Sequence, residues 1–93
     1  ISSEVPEKYT LSQNYPNPFN PETNINFSLP QKGDVKLSVF DMTGKEVSVL
    51  FNGKLDAGIH QYNFNAANLP SGTYFYKLET NGFIETKKMM LIK

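Results

Sequence analysis

The chain has 93 residues and no net charge: nine lysines balance nine acidic residues, with no arginine and no cysteine. Such a length makes one domain, burying a little over ~60% of its unfolded surface, and with no Trp the seven Phe and five Tyr must supply its large core side chains. This composition excludes a disulfide framework and a thiolate metal site, argues against nucleic acid as a partner because lysine offers only a point charge, and contains no apolar run near the ~18–20 residues of a membrane span.

Residues 1–8, Ile1-Ser2-Ser3-Glu4-Val5-Pro6-Glu7-Lys8, show neither an initiator methionine nor the charged-then-apolar pattern of a signal peptide. They read as a polar linker behind a preceding domain, so the chain is expected to be a piece of a longer protein whose folded unit here is 9–93. Next comes Tyr15-Pro16-Asn17-Pro18-Phe19-Asn20-Pro21. Each proline fixes its own φ, lacks an N–H and pushes the residue before it out of the helical region, so the segment is a stiff buckle. Its asparagines can hold the turn by bonding nearby backbone, and Tyr15 and Phe19 are left to dock on a core. The segment contains no titratable group suited to catalysis.

From there the chain alternates polar and apolar residues. Thr23 to Leu29 reads as a half-buried strand, stopped by Pro30, Gly33 and Asp34. Val35, Leu37 and Val39 share a face, Asp41 to Lys45 makes a tight turn with Gly44 at positive φ, and Val47, Val49 and Phe51 return with Leu50 on the opposite face. Asn52-Gly53 and Asp56-Ala57-Gly58 are expected to break that strand. His60, Tyr62 and Phe64 follow in phase, then a loop over Asn68-Leu69-Pro70-Ser71-Gly72. Tyr74, Tyr76 and Leu78 line the next strand, and Asn81-Gly82 turns it into a last strand from Phe83 to Ile92. Helical periodicity never lasts three turns. The result is an all-β chain of six or seven strands, a sandwich or small barrel, with Phe27, Leu37, Val39, Val47, Tyr62, Phe64, Tyr74, Tyr76 and Leu78 in its core.

Groups that could do chemistry are scarce. His60 is the only histidine and falls on the core-facing side near a strand start. Ser71 lies outside a Gly-x-Ser-x-Gly elbow, and Asp34, Asp41 and Asp56 sit in three turns without the Asp-x-Asp-x-Asp spacing of a calcium loop. Glu79 and Glu85 flank the Asn81-Gly82 turn, where no cleft would raise a carboxylate pKa. No catalytic, cofactor-binding or metal-ligating set is expected. The tail has a distinct charge pattern, with Lys87, Lys88 and Lys93 bracketing Met89-Met90-Leu91-Ile92. They read either as gatekeepers of an edge strand or as a docking element that adds to a partner's sheet.

Several segments together resemble the type A C-terminal sorting domain of the type IX (Por) secretion system. They are Leu11-Ser12-Gln13-Asn14 with the buckle behind it, Val39-Phe40-Asp41 through Gly44-Lys45-Glu46-Val47, Ala57-Gly58 before His60, Leu69 through Gly72-Thr73-Tyr74, and Lys87-Lys88-Met89 to Lys93. The resemblance runs from about Val5 to Lys93. It implies an immunoglobulin-like antiparallel β-sandwich of about seven strands without enzymatic activity. It also implies a covalently linked N-terminal cargo carried from the periplasm across the outer membrane of Bacteroidetes-type bacteria, to the cell surface or medium. The implied partners are the outer-membrane translocon and a sortase-like peptidase that removes the domain and can anchor the cargo. Lys87, Lys88, Lys93, Gly72 and Tyr74 then become the recognition residues, and the isolated domain is expected to be a monomer. A carbohydrate-binding or purely structural immunoglobulin-like accessory module is the alternative, and a related module occurs in flagellar hook-capping proteins.

Overall fold

The structure, a computed structural model, describes residues 5–93; residues 1–4 of the expected linker lie outside the described part. Seven strands form two antiparallel sheets: β1 (Thr10–Leu11), β2 (Glu22–Leu29) and β5 (Gly58–Asn65) in the order β1-β2-β5, and β3 (Gly33–Phe40), β4 (Glu46–Leu55), β6 (Gly72–Thr80) and β7 (Phe83–Leu91) in the order β4-β3-β6-β7. The sheets face each other across one core, the arrangement of an immunoglobulin-like sandwich.

Period-two alternation explains why these residues form strands, because each apolar parity finds a facing sheet. Among the expected core positions Phe27, Leu37, Val39, Phe64, Tyr74, Tyr76 and Leu78 are buried, while Val47 and Tyr62 are half-buried at the margin. Leu11, Phe19, Ile25, Leu29, Val35, Ala66, Met89 and Leu91 complete the core. Each fully buried side chain of this size contributes roughly 1.5–3 kcal/mol relative to exposure.

β4 departs from the simple alternation. Its register against β3 shifts between Leu37/Ser38 and again between Val39/Phe40, so Leu50 and Val47 are each an extra residue on the β4 side. Two bulges reverse the phase: Leu50 packs on the core beside Phe51, and Val49 is exposed. Asn52-Gly53 does not end the strand either. Both residues stay paired with β3, and β4 runs to Leu55.

The chain between β1 and β2 crosses from one sheet to the other. Tyr15 still exchanges backbone hydrogen bonds with Asn24 of β2, at 3.0 and 2.9 Å, whereas Phe19 forms a parallel bridge with Leu91 of β7. The two ends of the chain thereby close one side of the sandwich. At one pole Tyr9 stacks on Phe83 with ring centroids 5.4 Å apart, and Asn81 donates its amide to the Tyr9 hydroxyl at 3.0 Å. A Cβ at Gly33 would come within 2.4 Å of the Asn81 amide, so a larger residue there would push the Asn81 side chain out of its present position.

Candidate recognition surface

The buckle is held from both sheets. Asn14, 2% exposed, donates its amide to the Pro16 carbonyl at 3.1 Å and to Thr23 Oγ1 at 3.0 Å, while Thr23 Oγ1 donates to Pro16 at 2.8 Å. Phe19 inserts its ring beside Phe64, centroids 6.1 Å apart, and is 2% exposed. Tyr15, expected to dock, instead stands 79% exposed. The reason is geometric: Tyr15 pairs with Asn24 through its backbone, on the parity that faces water, whereas Phe19 reaches the gap between the sheets.

The partner of the buckle is the last strand. Phe19 N–H donates to the Met90 carbonyl and Ile92 N–H to the Phe19 carbonyl, both at 2.9 Å; Met90 N–H donates to Asn17 Oδ1 at 3.0 Å. Gln13 adds its side-chain amide to the Lys88 carbonyl at 2.8 Å. Asn17 thus bonds the terminal strand rather than its own turn. Pro16, Pro18, Asn20 and Pro21 shape the segment around these contacts, and its Tyr15–Pro16, Asn17–Pro18 and Asn20–Pro21 peptide bonds are cis.

The three lysines do not form one patch. Lys87 lies on the core-side parity with an ion pair to Glu85 at 3.2 Å, and Lys88 points outward into solvent. Lys93 folds back, donating Nζ to the Ala67 carbonyl at 2.7 Å and its backbone N–H to Ser71 Oγ at 3.1 Å. Gly72, φ 150°, starts β6 opposite Leu91. Tyr74 is a core ring whose hydroxyl donates to the Pro70 carbonyl at 2.7 Å, and burial, with the Asp41 charge, raises its pKa. Gly72, Tyr74, Ser71, Leu91 and Lys93 therefore meet at the pole where the chain ends.

Asp34, Asp41, His60, Glu79 and Glu85 each have a local partner. Asp41 accepts from Thr43 Oγ1 at 2.6 Å, Thr43 N–H at 2.9 Å and Lys45 N–H at 3.1 Å; the Thr43 hydroxyl bond is the main reason its carboxyl is held below the usual value. Asp34 pairs with Lys54 at 3.0 Å. The His60 ring is half-buried against Phe27, and its Nε2 is 2.9 Å from the Asp56 carbonyl, which makes Nε2 the protonated nitrogen. Glu79 and Glu85 do not approach each other. They occupy opposite faces of the hairpin and each pairs with a lysine of its own strand, Lys77 at 2.9 Å and Lys87 at 3.2 Å. Among the described residues no three acidic or histidine side chains gather in a way that could hold a metal.

A stacking platform for sugar rings would need a row of exposed aromatics on one sheet. Tyr15 is the one strongly exposed ring among the described residues; Phe40 and Phe75 are half-buried on the outer face of the four-stranded sheet, with Lys77 Nζ 5.1 Å above the Phe40 ring. What the geometry presents is a rigid surface in which buckle and terminal strand are stitched together. No curated protein is significantly similar to the chain. Residues 13–93, from the glutamine that reaches β7 to the last lysine, match the family model of the secretion system C-terminal sorting domain, and the chain belongs to that type IX sorting-domain family.

Proposed function

We propose that this chain is a non-catalytic export tag, which takes a cargo attached at its N-terminal side through the periplasm and across the outer membrane to the surface or medium. The translocon reads the pole where β7 ends, and a sortase-like peptidase then removes the tag and anchors the cargo. Membership of the sorting-domain family supports the general role. The observation that carries the finer reading is the polarity of the fold. The chain enters beside Phe83 and Asn81 and ends beside Ser71 and Gly72, with the nine residues of β7 between the two poles, a span of roughly 30 Å at strand spacing. A cargo joined through residues 1–8 would therefore leave the terminal pole uncovered. The stitched buckle supports the same reading, because it holds Met90 and Ile92 in one conformation for inspection.

Charge and stability can be separated experimentally. Lys88 is exposed, and the ion pair of Lys87 is worth little in solvent, so Lys87→Gln with Lys88→Gln should change stability by no more than about 1 kcal/mol. The double variant should nevertheless impair export of a fused reporter, and so should deletion of Ile92 and Lys93. Melting curves must show the variants folded. Normal export by both folded variants would remove the terminal strand from the recognition surface and leave recognition to the rest of the sandwich.

A further inference from the structure

Of the two edges of the four-stranded sheet, β4 is distorted by both bulges, a common protection against pairing with another chain. β7 is straight, in register with β6 over all nine residues, and free of proline. Its outward backbone groups belong to even-numbered residues, because the Lys88 carbonyl, both Met90 groups and the Ile92 N–H all turn to the buckle. Alternation puts Ile84, Thr86 and the Lys88 N–H on the same edge, and these have no hydrogen-bond partner among the described residues. Three successive pairing positions stand open between the Asn81-Gly82 turn and the Gln13 amide.

We propose that a second copy of this chain occupies this edge, the two β7 strands pairing antiparallel about a twofold axis at Thr86. The charges select that register. An axis at Thr86 places Glu85 opposite the partner's Lys87 and Lys87 opposite the partner's Glu85, while Ile84 faces the partner's Lys88. An axis one residue earlier would set Glu85 against Glu85, and one residue later Lys87 against Lys87; like charges directly opposite destabilise a pair and opposite charges stabilise it. The Thr86 axis alone also uses all three open positions without requiring Met90, whose backbone is already bonded. The Lys88 carbonyl has a second lone pair to accept from the partner's Ile84 beside the Gln13 amide. Joining the edges makes one eight-stranded sheet with the buckles outside the paired segment. The contact is short, so the dimer forms at high protein concentration and replaces the monomer expected from the sequence. It is independent of the sorting role.

Sedimentation of the 93-residue chain across a concentration series tests this, with melting curves at low concentration to confirm that each variant is folded. The unsubstituted chain should show a concentration-dependent monomer–dimer equilibrium. Glu85→Lys alone and Lys87→Glu alone each create two like-charge pairs per dimer and should raise the dissociation constant at least about tenfold. The double variant, with the two charges exchanged, should dimerise again. Mixing the two single variants gives the decisive result: each alone opposes like charges, but a heterodimer of the two opposes unlike charges at both positions, so the mixture should associate although neither component does. Loss of the intrachain Glu85–Lys87 pair cannot produce that rescue. A chain that stays monomeric at every concentration, or single variants that dimerise as well as the unsubstituted chain, would overturn the proposal, as would a mixture that fails to associate.

Discussion

Phe19→Ala is expected to lower the melting temperature by about 15–25 °C. The ring is 2% exposed and lies against Phe64; truncating a buried phenylalanine costs roughly 3–5 kcal/mol, and each kcal/mol moves the midpoint of a domain this size by about 5 °C. The whole domain has only ~5–14 kcal/mol of stability. The loss should also spread, because Phe19 carries two of the backbone bonds that hold the end of β7. Tyr15→Ala is the matched control: its ring is 79% exposed, so the melting temperature should move by no more than a few degrees. Thermal denaturation of the two variants beside the unsubstituted chain makes the comparison. Equal melting temperatures would mean that the buckle does not anchor the fold. Failed export of Phe19→Ala is not informative about recognition, since an unfolded tag fails as well.

The second large effect is alkaline. The Tyr76 ring is fully buried and its hydroxyl donates to the Ser12 carbonyl at 2.6 Å. Burial pushes its pKa from 10.0 up to about 12, against a lowering backbone contact from Asn14. Because the folded-state value lies above the unfolded one, this contribution to stability is fully present below pH 10 and is lost as pH rises through 12. The two-unit difference corresponds to about 2–3 kcal/mol. Urea midpoints measured from pH 9 to 12 should fall steeply. Tyr76→Phe should lose about 1 kcal/mol at neutral pH, because the Ser12 carbonyl loses its donor, and should then show a shallower alkaline fall. Tyr74, whose pKa is also raised by burial, accounts for part of the slope that remains. Parallel alkaline profiles for the two proteins would contradict the assignment to Tyr76.

Strands whose two faces meet different surroundings were legible in the sequence. Thr23 to Leu29, Val35 to Val39 and Tyr74 to Leu78 alternate because one face packs into the core and the other carries mostly polar side chains, although Ser28 and Ser38 on that second face are themselves buried, and period two records the alternation directly. β4 was not legible, because its bulges shift the phase without any glycine or proline at Val47 or Leu50 to mark them. The buckle was recognisable from its prolines, yet its attachment was not. Asn17 bonds Met90 across 73 positions of sequence, and no local rule distinguishes that contact from an asparagine closing its own turn. Lys87 and Lys88 show the same limit on a smaller scale. They are adjacent in sequence, but a strand sends neighbours to opposite faces, so only Lys88 is left clear while Lys87 finds Glu85. The sequence motifs reached the family more directly than physical patterning did, since buckle, turns and lysine-bracketed tail occur together in one chain.

The most direct measurement of the central claim is export of a periplasmic reporter carrying residues 1–93 at its C-terminus, in a bacterium with an intact type IX system and in an otherwise identical strain lacking the translocon. The reporter should reach the surface or medium in the first strain and accumulate in the periplasm of the second, and a reporter without the tag should stay periplasmic in both. Retention of the folded, tagged reporter in the periplasm of the intact strain, or equal release from the two strains, would contradict the account.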